Sequence, residues 1–187
     1  AAAIKAGKKV KSWENRRGDM KKVFANCHTS NYVDNFYTQY DGLVGLYNDK
    51  FANPAKTIYT KLRATGLLTA DTDFDEEIEW TYYYLWHHEG RRARMGAAMF
   101  APDYTQWHGM FEVAERFYME FIPQVKELIE KAKAFGGAQA TAAEEVEKLV
   151  QETLDMDSHK WFTGKEAPEI KAARKKAAEE FRKRYTP

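Results

Sequence analysis

The chain is 187 residues long, with 44% hydrophobic and 14% aromatic residues, so it can bury a sizeable core and falls outside the disordered class. Its 29 lysines and arginines are balanced by 28 aspartates and glutamates, which excludes the strongly basic footprint of a nucleic-acid binder. A lone cysteine, Cys27, rules out both a disulfide framework and a zinc cluster built on several thiolates.

No run of about 18 apolar residues is present, so no membrane span is expected. The opening segment AAAIKAGKKVKSW has no apolar stretch after its basic residues, so no secretory signal is read in this sequence. Glycine and proline are sparse, at 11 and 5 residues, and apolar positions recur at threes and fours. That spacing predicts an all-α protein of about six helical stretches.

The first stretch is predicted over about 10–38, interrupted near Cys27 and His28, and the second over about 41–50. Asn53-Pro54 marks the start of a third, ending near Gly66, with Pro54 in a first-turn position. A fourth opens with Asp71, Asp73, Asp75, Glu76, Glu77 and Glu79 and carries Arg91, Arg92 and Arg94 towards its end, a charge order that suits the helix dipole. Ala101-Pro102 breaks it, and Asp103 or Thr105 is placed to cap the next helix.

That fifth helix is predicted to run for about 30 residues to Gly136-Gly137. Its apolar stripe is Phe111, Ala114, Tyr118, Phe121, Val125 and Leu128, widened by Phe117, Ile122 and Ile129, and Pro123 inside it is expected to kink it or to free one carbonyl locally. Two more helices, about 141–156 and 166–184, close the chain around a turn at 157–164. The last has a thin apolar line, Ile170, Ala173, Ala177 and Phe181, suited to a partner helix.

Three constellations carry potential chemistry. Cys27-His28 is the second half of a Cys-x-x-Cys-His heme c motif, in which thiols bond the porphyrin and the histidine ligates iron. Phe24 occupies the first cysteine position, so one thioether through Cys27 is the feasible attachment, and a free thiol beside an ordinary histidine is the plain alternative. In Trp86-His87-His88-Glu89-Gly90-Arg91-Arg92 the adjacent histidines diverge by about 100° on an α-helix, so they suit two separate irons rather than one. Arg91 and Arg92 could pair with heme propionates; equally, they could answer nearby acidic side chains. In Pro102-Asp103-Tyr104-Thr105-Gln106-Trp107-His108, Tyr104 and His108 lie four apart on one helix face, and tyrosine's ring is oxidisable.

The string YYLWHHEGRRARMGAAMFAPDYTQWHGMFEVAERFYMEFIPQ resembles the C-terminal part of octaheme hydroxylamine oxidoreductases, a family that includes hydrazine dehydrogenases. SWENRRGDMKKVFANCHTSNYVDNFYTQYD is similar to the segment around that family's last heme-binding motif, and HKWFTGK continues the resemblance downstream. The resemblance implies a largely helical multiheme c-type oxidoreductase, a homotrimer whose long C-terminal helices pack in a bundle. It places Tyr104 at the position of a tyrosine cross-linked to the catalytic heme of a neighbouring subunit. His28 takes the place of a proximal iron ligand, and His87, His88 and His108 are candidate metal ligands or pocket residues.

The implied division is a heme-contacting region over 1–101 and trimer-packing helices over 102–187. Implied cofactors are heme c, several per complex, including the tyrosine-cross-linked one. Implied partners are an N-terminal multiheme portion or subunit, a small nitrogen substrate (hydroxylamine or hydrazine) and an electron-acceptor cytochrome, in a periplasmic or equivalent compartment. The chain then reads as the C-terminal portion, or a split subunit, of the enzyme. A non-catalytic scaffold or electron-transfer subunit is the alternative.

Overall fold

The computed structural model describes residues 10–69 and 71–185, and the lysine-rich opening segment 1–9 lies outside them. The described residues are helical, without a strand, as the apolar spacing requires. By compactness the chain forms two units that part between Gly45 and Leu46.

The first unit is an antiparallel pair, α1 (Trp13–Phe24) and the opening part of α2 (Ser30–Tyr47). Ser12 caps α1 by accepting from the Asn15 N–H at 3.2 Å. Arg17 reaches both carboxylate oxygens of Asp41 at 2.7 and 2.8 Å and lies over the rings of Trp13 and Tyr37. Lys21 pairs with Asp34 at 2.7 Å. Among this unit's described residues only Val33 is buried, so charge pairs and cation–π contacts, not a core, register the two helices. The turn between them carries Cys27 and His28, where an interruption is expected.

In the second unit, α2 does not stop before Asn53, contrary to the expectation of a fresh start there. It passes through a π-helical turn, Asn48–Ala52, into α3 (Asn53–Ala64). The reason is Pro54, which has no N–H to give the Lys50 carbonyl and whose ring crowds it. Widening the turn resolves both, with the Asn53 N–H donating five residues back to Asn48.

The fourth stretch comprises α4 (Glu77–Tyr83), a π-turn over Tyr84–Glu89 and α5 (Gly90–Ala98). The long helix follows as α6 (Pro102–Thr105), a π-turn over Gln106–Phe111, α7 (Glu112–Arg116), a π-turn over Phe117–Phe121 and α8 (Ile122–Phe135). Pro102 opens it, and neither Asp103 nor Thr105 serves as its N-cap; the Thr105 hydroxyl instead donates back to the Ala101 carbonyl at 2.8 Å. Pro123 is absorbed as Pro54 is, by a π-turn in which the Ile122 N–H reaches Phe117. Gly136, at φ +85°, ends the helix, and α9 (Gly137–Asp155) turns back along it. A 3-10 turn at Asp157–His159, the short α10 (Lys160–Thr163) and α11 (Pro168–Tyr185) complete the chain.

The core of this unit joins Phe51, Ile58 and Leu62 with Leu85, Phe117, Phe121, Val125, Val146 and Val150. Of the expected stripe, Phe117, Tyr118, Phe121, Ile122, Val125 and Ile129 are buried, whereas Phe111 is exposed. The acidic run is not solvated throughout. Glu79 is buried, accepts from Arg63 at 2.9 Å and the Tyr59 hydroxyl at 3.1 Å, and receives the backbone N–H groups of Asp75 and Glu76. α11 buries no residue. No helix among the described residues is long and apolar enough to cross a membrane.

Candidate functional site

The two strings singled out in the sequence, around His87-His88 and around Tyr104–His108, lie against each other in the second unit. Glycine makes that possible. A Cβ on Gly96 would fall 2.8 Å from the Thr105 nitrogen, and one on Gly109 would fall 2.6 Å from the Ala93 Cα, so the two helix segments meet at backbone distance. A Cβ on Gly90 would meet the buried Tyr47 ring at 2.2–2.5 Å. Sequence reasoning passed over these residues, although Gly90, Ala93 and Gly96 at spacings of three form a legible small-residue face.

Four π-turns interrupt these helices among the described residues. Two precede prolines; the other two, Tyr84–Glu89 and Gln106–Phe111, have no proline to account for them and hold His87, His88 and His108. Single π-turns without a proline cause concentrate at functional sites, because they re-aim side chains at the cost of weaker backbone hydrogen bonds.

A chain of alternating charge spans the two segments. The His108 Nδ1–H donates to Glu112 at 2.8 Å, and the other Glu112 oxygen accepts from Arg92 at 2.9 Å. Arg92 lies 3.9 Å from the buried Glu89, which accepts from Arg116 at 3.0 Å, and Arg116 pairs with Glu120 at 2.6 Å. The carboxylate on Nδ1 sets the His108 tautomer and leaves Nε2 as the lone-pair nitrogen. His108 and Tyr104 are 49% and 53% exposed, with ring centroids 5.7 Å apart.

His87 stacks on Tyr83 at 4.5 Å, and its Nδ1 is buried without a hydrogen-bond partner. Desolvation, then the charge of Arg91 and the neighbouring His88, hold its pKa below the ordinary histidine value and favour the neutral, metal-binding form. His88 is exposed, edge-on to Tyr84 at 5.0 Å. Arg91 is exposed and makes no ion pair among the described residues, whereas Arg92 is committed to Glu112. In the first unit, Cys27 and His28 are exposed at the helix turn, and His28 stacks on Tyr32 at 4.7 Å.

Thus the structure brings together Tyr104, His108 and Arg92, with His87, His88 and Arg91 on the facing helix, while Cys27 and His28 belong to the other unit. No group of three or more histidine, cysteine, aspartate or glutamate side chains among the described residues is placed to hold a metal ion by itself. Compared with family models, characterised proteins and solved structures, the chain matches none.

Proposed function

We propose that this chain is the C-terminal portion of a multiheme c-type oxidoreductase that oxidises hydroxylamine or hydrazine, working as a homotrimer in a periplasmic or equivalent compartment. The carrying observation is the exposed Tyr104–His108 pair, locked by Gly96 and Gly109 against the helix that bears His87 and His88. The His108 ring and the Tyr104 phenol are held in defined positions yet left exposed to a ligand from outside.

The residues fit heme in three respects. His108 has its Nδ1 tied to a carboxylate, the usual support of a metal-bound imidazole, and its Nε2, which makes no hydrogen bond but lies 3.6 Å from the Asp103 carboxylate, would be the ligating atom. His87 presents an unpartnered nitrogen in its neutral form. Cys27 is exposed beside His28, as thioether formation and proximal ligation require.

Heme c, when bound, would supply electron transfer and an iron site for the nitrogen substrate. His28 in the first unit and His87, His88 and His108 in the second are the residues that would hold such groups, and Arg91, rather than the engaged Arg92, would be first to meet a propionate. Tyr104 would cross-link to the catalytic heme of a neighbouring subunit. The carboxylates of Glu112 and Asp103, 2.8 and 3.6 Å from the two His108 nitrogens, would hold protons released from substrate near the ring. The N-terminal multiheme portion and an acceptor cytochrome are the partners this requires.

The test is optical spectroscopy of the purified complex. A reduced band well to the red of ordinary c-type absorption, lost in Tyr104→Phe, supports the reading. Ordinary c-type bands unchanged by that substitution would instead identify an electron-transfer or scaffold subunit.

A further inference from the structure

Away from the candidate site, the second unit buries a second tyrosine–histidine pair. Tyr118, 5% exposed, and His159, 0% exposed, form a hydrogen bond of 2.7 Å between the phenol oxygen and Nδ1. Its direction follows from the other ring nitrogen. His159 Nε2 is buried with no hydrogen-bond partner among the described residues, and the Lys50 backbone carbonyl pulls the ring's pKa up by less than burial and the Lys50 charge push it down. That carbonyl is the one whose α-helical donor would have been the N–H missing from Pro54. A carbonyl only accepts, so it favours the tautomer with the hydrogen on Nε2, in which Nδ1 is the acceptor and the Tyr118 O–H donates to it.

The rings around Tyr118 are chosen in a way that matters for electron transfer. Phe162 stacks on it at 4.1 Å, and Phe117 and Phe51 meet it edge-on at 5.2 and 6.0 Å. Phenylalanine is not readily oxidised, so these faces shield the phenol. Trp161, edge-on at 5.5 Å and 44% exposed, is the readily oxidised ring in contact with it among the described residues. The Lys50 ammonium sits 5.3 Å over the Trp161 ring. A positive charge there disfavours a radical cation that stays on the indole.

We propose that Tyr118 and His159 are a redox-active pair, in which Tyr118 gives one electron through Trp161 to an oxidised metal centre docked at the surface while its proton crosses to His159 Nδ1. The phenolic O–H bond breaks, an N–H bond forms, the tyrosine becomes a neutral radical and the oxidant is reduced by one electron. Burial and the charge of Lys50 disfavour the resulting imidazolium, so the proton returns when an electron does and the pair resets. Lys50 is the charged side chain acting on the ring. This assignment does not rest on heme binding by this chain.

The probe is photogenerated tris(bipyridine)ruthenium(III), acting on the full chain at neutral pH, with radicals trapped by freezing and read by electron paramagnetic resonance. A long-lived neutral tyrosyl radical is expected, absent in Tyr118→Phe. Trp161→Phe should slow its formation, and His159→Gln should slow it by about 100-fold, the scale of a lost proton acceptor. Circular dichroism establishes that each variant is folded. If His159→Gln does not fold, the wild-type rate in heavy water serves instead, and the absence of a solvent isotope effect overturns the proposal. Persistence of the long-lived radical in Tyr118→Phe, or an unchanged rate in Trp161→Phe, overturns it as well.

Discussion

Histidine 159 and histidine 108 show how one residue type takes opposite roles from its surroundings. The exposed His108 is tied through Nδ1 to Glu112, a partner that orients the ring. Burial first, and the Lys50 charge second, push the His159 pKa down, against a smaller upward pull from the Lys50 carbonyl. A histidine whose folded pKa is depressed takes up its proton more readily when unfolded, so stability falls as pH drops below the ordinary value of 6.5. His87, also depressed, adds in the same direction. The depressed carboxylates Asp19, Asp155 and Asp157 lose their contribution only at lower pH, near and below the usual carboxylate range. Unfolding free energies from urea titrations should therefore fall between pH 6.5 and 5, with a slope from His159 no steeper than about 1.4 kcal/mol per pH unit. His159→Gln should flatten that slope, and an unchanged slope would remove His159 from the account. None of this was legible in HKWFTGK, because burial of a single histidine has no periodic signature.

At the scale of elements, the helices and their breaks were largely legible, and prolines explain where they were not. Pro54 looks like a helix start in the sequence, yet it sits just after a π-turn inside a continuous helix, and Pro123, expected inside its helix, follows a π-turn in the same way. A proline removes one hydrogen bond, and core residues on both sides, such as Phe51 and Ile58 around Pro54, favour carrying the helix through. The contact between α5 and the long helix was not read from sequence, though it depends on two glycines. Replacing Gly96 with Val should destabilise the protein by about 1–3 kcal/mol, because the side chain would meet backbone at Thr105 rather than a movable rotamer. Thermal denaturation measures this. The same substitution should disturb the Arg92–Glu112–His108 chain, whereas Gly18→Ala, with open space at its Cβ, should not destabilise. If both variants melt alike, close approach at Gly96 is not what holds these segments.

For the whole molecule, the two units are stabilised by different means: one by ion pairs and arginine–aromatic stacking, the other by a shared apolar core. α11 belongs to neither pattern, since its Ile170 and Phe181 are 57% and 64% exposed. Under the trimer proposal a partner helix covers that line. Deleting residues 168–187 should then lower the assembly mass measured by light scattering. It should leave the intrinsic stability of the core within about 0.5 kcal/mol, as changes away from buried contacts do. Loss of the core's cooperative unfolding would show instead that α11 packs on its own chain. The sequence by itself determined the all-α class, the stripe from Phe117 to Ile129 and the turn at Cys27-His28, because period, glycine and proline act over a few neighbouring residues. Only the tertiary structure decided that Tyr104 and His108 face a helix carrying His87 and His88, that Arg92 is engaged while Arg91 is not, and that Tyr118 meets His159. Those pairs are 16 to 41 positions apart, and what joins them is a close approach at small residues and burial, neither of which leaves a local mark on the chain.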